Sequence, residues 1–209
     1  MDIAIASVIS PENGCGSFQL GDQNEQAVAE FNLTSPDVIH LLERETEDRR
    51  PIVDQLRRYV PIRVLAQALR DAERPLTRQL LCDLIGFRAA RSAIPELLEA
   101  LQDHNRSVRA SAADAIAKAV GYGGVQPVPD RLIRRVLPTL LRHWETELTP
   151  QVRSVLATAL GLLGDTSVQP LLQEALGDPH EQVRLAAEWS LGKLRDRSSS
   201  LRRPKGRDH

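Results

Sequence analysis

From residue 35 onward, apolar side chains return every three or four positions. Val108, Ala112, Ala115, Ile116 and Ala119 fall on one side of a helical wheel, and Val152, Leu156, Ala159, Leu160 and Leu163 do the same. This i, i+4, i+7, i+8 spacing belongs to helices buried along one stripe. Between them lie segments carrying an early proline: Ile94-Pro95-Glu96-Leu97-Leu98, Leu137-Pro138-Thr139-Leu140-Leu141 and Gln169-Pro170-Leu171-Leu172. Proline in the first turn of a helix gives up no hydrogen bond and has its φ already set. The pattern predicts an all-α chain of short helices, alternately rich in alanine and in leucine.

The helices also repeat. Arg78, Arg109, Arg153 and Arg184 occupy matching places in four aligned segments and stand 31, 44 and 31 residues apart. Two equal periods and one lengthened by 13 indicate a regular array with one insertion, placed near 121–133. Each unit reads as two helices joined by a turn containing Gly86 or Gly164-Asp165. One hairpin cannot bury both of its stripes, so the units stack, with ~8–10 Å between packed helices. The expected architecture is a solenoid of about four to five repeats over residues 35–195. Asp103 and Asp178 each precede a repeat arginine by six residues. An aspartate there can cap the next helix, and the arginine can bridge to the neighbouring unit's loop. Asp103, Arg109, Arg153, Asp178 and Arg184 are therefore expected to form a structural ladder.

The motif V-R-x-x-A-A-x-A-L-G, as in Val183-Arg184-Leu185-Ala186-Ala187-Glu188-Trp189-Ser190-Leu191-Gly192, alternates with helices such as Leu97-Leu98-Glu99-Ala100-Leu101-Gln102-Asp103. This alternation resembles the E/Z-type HEAT repeats of the phycobilisome (bilin) lyase family, over roughly residues 60–195. The resemblance implies a HEAT-type α-solenoid whose arginine helices line the concave side. It also implies a possible role as a bilin lyase or bilin chaperone subunit. Such proteins attach a linear tetrapyrrole, a phycobilin, to phycobiliprotein cysteines, commonly as a complex of two HEAT-repeat chains. No residue carries over as catalytic, because what is shared is the structural repeat.

The ends depart from the pattern. Ser35-Pro36 reads as a helix start, Pro51 to Tyr59 as a second helix and Pro61 to Asp71 as part of a degenerate repeat. Residues 1–34 show no sustained period and are expected to form a loosely ordered arm. Residues 196–209 are polar and basic, and are expected to form a flexible tail.

Composition narrows the function. The chain has 209 residues, 42% hydrophobic and only 3% aromatic, with a formal net charge of −1. That charge gives no global attraction to nucleic acid or an anionic membrane. There is no secretion signal and no run of ~20 apolar residues, so a cytoplasmic protein without a membrane span is expected. Cys15 and Cys82 are too few for a disulfide framework, and Cys82 reads as a small buried hydrophobe. The five histidines show no metal-ligand spacing, and no nucleophile elbow, phosphate loop or dinucleotide fingerprint is present. No catalytic residue, metal or resident cofactor is therefore expected, apart from a phycobilin if the lyase reading holds.

What recurs instead is a surface. One and five residues after each repeat arginine, the helix points away from its apolar stripe. The pairs are Gln79/Asp83, Ala110/Asp114, Ser154/Thr158 and Leu185/Trp189. They would floor a groove for another protein, such as a second HEAT-repeat chain or a phycobiliprotein subunit. Asp83 and Asp114 in that groove argue against nucleic acid.

Overall fold

The computed structural model describes residues 33–44, 48–122, 128–163 and 166–202, which are helical apart from connecting turns. The first five helices are α1 (Ser35–Glu43), α2 (Arg50–Tyr59), α3 (Ile62–Asp71), α4 (Pro75–Phe87) and α5 (Ile94–Ala100). They are followed by α6 (Arg106–Ala117), α7 (Asp130–Thr146), α8 (Pro150–Leu163), α9 (Gln169–Ala175) and α10 (Glu181–Arg202).

Packing fixes the unit. Each leucine-rich helix lies on the arginine helix that follows it: α3 on α4, α5 on α6, α7 on α8 and α9 on α10. The paired helices are thus joined at the turns that precede the arginines, rather than at Gly86 or Gly164-Asp165 as expected. Arginine helices also stack directly on one another, so α4, α6, α8 and α10 form one continuous layer. At the N-terminal end α1 lies on α3 and α2 on α4, a degenerate fifth hairpin. One core runs through the stack, with Leu81, Cys82, Ile85, Val108, Ile116, Leu156 and Leu160 inaccessible to water.

Small residues set the spacing of the arginine layer. A Cβ added at Gly86 would stand 2.8 Å from the Cα of Ala115, and one at Gly161 would stand 2.6 Å from the Oγ of Ser190. Real Cβ atoms do not approach backbone so closely, so glycine is required where these helices cross. Gly86 therefore lies inside α4 as a crossing point. The turn beyond it uses Ala89, in the left-handed region at φ 47°.

Three boundaries differ from expectation. Thr34, not Ser35, caps α1, accepting and donating in a box with Asp37, while the Ser35 hydroxyl donates to Asp71 at 2.6 Å. The insertion is partly helical, because α7 already begins at Asp130 and places Pro138 inside its 17 residues instead of in the first turn. Pro138 and Arg134 are both exposed, so water can satisfy the carbonyl that proline leaves without a donor. Finally, α10 runs seven residues past 195 to Arg202, where a flexible tail was expected. Its buried stripe, Val183, Ala187, Ser190 and Leu194, carries it to the edge of that region. Residues 1–32, with Cys15, and 203–209 lie outside the described residues.

Candidate partner-binding site

The arginine layer has a structural edge and an outward face. On the edge, each arginine fork holds a carboxylate in the next hairpin's turn. Arg78 donates from Nε to Asp103 at 2.6 Å and from Nη2 at 3.1 Å. Arg109 does the same to Glu147 at 2.7 and 3.1 Å. Arg153 donates to one oxygen of Asp178 at 3.2 and 2.9 Å. The remaining Nη1 of Arg109 binds the carbonyls of Asp103 and His104 in its own turn, at 2.9 and 3.2 Å. Each carboxylate in turn accepts a backbone N–H two residues on, at Asn105, Thr149 and His180. It shapes the turn and does not serve as the helix N-cap, a role that Asn105 takes for α6. Arg153 also lies over the ring of Trp144, 4.3 Å from its centre.

Glu147 was missed by sequence reasoning, although the signal existed. It precedes Arg153 by six residues, as Asp103 precedes Arg109 and Asp178 precedes Arg184. Arg184 departs from the ladder in the other direction. It keeps the two carbonyl bonds, to Asp178 and Pro179 at 2.9 and 3.0 Å, but among the described residues it holds no carboxylate.

Burial alone would push the Glu147 carboxyl up. Its bonds from Arg109 and Thr149 outweigh this and bring its pKa down to about 2, from an ordinary 4.5. Asp103 and Asp178 are also lowered, with Arg78 and Asn105 outweighing burial at one and His180 and Arg153 at the other. A depressed carboxylate pKa stabilises the fold fully above the unfolded value and progressively less as pH falls through the folded one. The contribution of these three carboxylates to stability in urea should thus be level from neutral pH to about 4.5 and fall steeply between there and about 2. Glu147→Gln should lower stability at pH 7 and flatten that acid limb; an unchanged limb would show that other carboxylates govern it.

The outward face carries the expected row, with one exception. Asp83 is exposed, and Gln79, Asp114, Ser154 and Thr158 are half-buried. Leu185 and Trp189 are exposed at 57% and 38%. Ala110 is instead buried, because α6 is packed between α4 and α8. The hydroxyls of Ser154 and Thr158 turn back to carbonyls of their own helix, at Gln151 and Ser154.

Asp83 and Asp114 belong to one small cluster with Ser111 and Lys118. Lys118 pairs with Asp114 at 2.5 Å. Loss of surrounding water pushes the Asp83 carboxyl up; Asp114 adds to the rise, while the Ser111 hydroxyl and Lys118 oppose it. Further along, Lys193 lies 5.3 Å from the centre of the Trp189 ring. The row therefore runs from a carboxylate cluster to an apolar, cation-covered end. No group of three metal-ligating side chains occurs among the described residues. Cys82 is buried, and burial raises its thiol pKa well beyond the ordinary value, so it is inert. Among the described residues, no helix is long and apolar enough to cross a membrane.

Stacked hairpins, an arginine–carboxylate ladder and alanine–glycine crossings define a helical-repeat protein. Residues 62–144 and 137–202 match the HEAT repeats family, and the chain belongs to it. A HEAT repeat-containing taxis protein of Halobacterium salinarum is 28% identical over 153 residues, covering 69% of this chain and 37% of that protein. The chain thus spans about a third of the length of this relative. The fold is also similar to the complex of CpcE and CpcF of phycocyanin lyase from Nostoc sp. PCC7120. There the TM-score is 0.58 at 19% identity, over 88% of this chain and 70% of the other. An engineered protein is similar at TM-score 0.50 and 16% identity, over 78% of this chain and 79% of the other. The HEAT-like fold expected from the sequence is thereby established, together with its structural likeness to the lyase subunits.

Proposed function

We propose that the chain is a non-enzymatic scaffold that holds another protein on the outward face of its arginine helices. The observation that carries this reading is the exposure of Leu185 and Trp189 at the end of an otherwise polar row. Tryptophan in such a place has the size and amphipathic character of a binding anchor. The four arginine helices stack in one continuous layer, so a partner on its outward face would touch several helices at once.

A second reading, a bilin lyase or bilin chaperone subunit, is supported by the fold likeness to CpcE and CpcF. In that case the groove would receive a phycobiliprotein or a second HEAT-repeat chain. A phycobilin would then be handled by the assembled pair. The taxis relative suits the scaffold reading without requiring a pigment.

One experiment addresses both. Affinity capture with the native chain should retain a specific partner that Trp189→Ala combined with Asp114→Arg loses at least tenfold. Equal retention by native and variant chains would sink the groove assignment. Adding phycocyanobilin to the native chain, with and without that partner, should change the bilin's absorbance or fluorescence only if the second reading holds.

A further inference from the structure

Helix α7 is longer than its neighbours in the outer layer by about two turns. Pro95 and Pro170 stand at the second residue of α5 and α9, whereas α7 begins at Asp130, eight residues before Pro138. The extra turns come with the insertion, and the neighbouring hairpins pack without any such extension. They carry Arg131, Arg134 and Arg135, and Arg142 continues the row; all four are exposed. At 100° per residue these arginines share one stripe with Pro138, opposite the buried Val136, Leu140 and Trp144. From Arg131 to Arg142 the stripe is about 17 Å long.

Gathering these cations works against the helix that holds them. Arg131 stands three residues from Arg134 and four from Arg135, spacings at which like charges repel. Arg131 also lies in the first turn, where the helix dipole disfavours a cation. Other surface arginines are offset by a carboxylate: Arg50 by Asp48, Arg57 by Asp54, Arg70 by Glu96 and Arg74 by Glu43. Asp130 and Glu145 are the only carboxylates exposed on α7, and both lie near its ends.

We propose that this stripe binds a short acidic segment of another protein, with at least four carboxylates within about six extended residues. A carboxylate row would turn the repulsion along α7 into attraction. The apolar side of α7 faces the core, so the helix has no face to insert into a bilayer. The stripe holds no aromatic ring on which bases could stack. On either side α5 and α9 expose Glu99 and Glu174, which would repel a broad phosphate surface but leave room for a narrow strand. This surface is on the outer layer and is independent of the row that ends at Trp189.

The probe is a fluorescent octaglutamate peptide, with octaglutamine as its control. The native chain should bind octaglutamate at low salt and lose about tenfold in affinity at physiological ionic strength. Arg131→Gln, Arg134→Gln and Arg135→Gln together should weaken binding at least about tenfold. The same variant should melt at the native temperature or up to about 3 °C above it. Undiminished binding by this variant, equal binding of octaglutamine, or a lowered midpoint that marks the arginines as part of the fold overturns the proposal. Trp189→Ala should leave binding unchanged; a loss there moves the site to the other layer and overturns the assignment. Tighter binding of duplex DNA or of phosphatidylserine vesicles overturns the choice of a protein segment. Binding seen only in a chain with Asp2→Asn, Glu12→Gln, Asp22→Asn, Glu25→Gln and Glu30→Gln assigns the stripe to the chain's own acidic residues and overturns the partner in trans.

Discussion

Replacing Arg109 by alanine should lower the unfolding free energy by about 3 kcal/mol, the largest loss expected from any single change in the ladder. Arg109 donates two bonds to Glu147 and two to turn carbonyls. Its partner's side chain is only 7% exposed. Without the guanidinium, Glu147 keeps Thr149 but remains a nearly buried charge with no counter-ion. The arginine itself is about a fifth exposed, so the low end of the range for broken buried pairs applies. For a chain of this size that corresponds to a fall of about 6–12 °C in the thermal midpoint. Removing both partners, as Arg109→Met with Glu147→Leu, should recover much of the loss, because no buried charge is left. If the double variant is as unstable as the single one, the turn carbonyls and Thr149 matter more than the ion pair. Arg184→Ala should cost far less, since no carboxylate among the described residues depends on it.

Periodicity made the ladder's arginines legible, together with the buried stripes and the all-α class. Each of these is a property of one helix or of its spacing from the next copy. What stayed hidden was decided between helices. Gly86 looked like a turn residue because glycine commonly ends helices; only the approach of Ala115 shows that it is a crossing point. Ala110 looked outward by its own helical wheel, yet α6 has neighbours on both flanks and buries it. Glu147 was obscured by the 13-residue insertion, which moves it from 25 to 38 residues past its arginine. Its distance to the following arginine was undisturbed and would have found it. In the candidate site, the exposure of Leu185 and Trp189 could be read from the wheel because, among the described residues, α10 has no neighbour beyond it. The grouping of Asp83 with Ser111, Asp114 and Lys118 depends on α4 lying beside α6, which no single helix pattern contains.

Gly161→Leu should destabilise the fold by about 2–3 kcal/mol, and the sign is informative. By intrinsic propensity alone, removing a glycine from the middle of a helix should stabilise it by up to about 1 kcal/mol. At Gly161 the new side chain would start 2.6 Å from the Ser190 hydroxyl oxygen and 2.8 Å from its Cα. Helices α8 and α10 would have to separate, losing the buried bond from Ser190 to the Ala157 carbonyl. Overpacking of this kind costs about 1–3 kcal/mol, and the lost bond about 1 more. Packing therefore outweighs propensity. Gly161→Leu should melt well below the native chain, and adding Ser190→Gly should recover part of the difference by making room. Gly192 provides the internal comparison, since it sits at the equivalent position with nothing opposite it among the described residues. Gly192→Ala should raise the midpoint of the isolated chain by a few degrees, as propensity alone predicts. Equal effects at the two glycines would show that the spacing of the arginine layer is not set at these crossings.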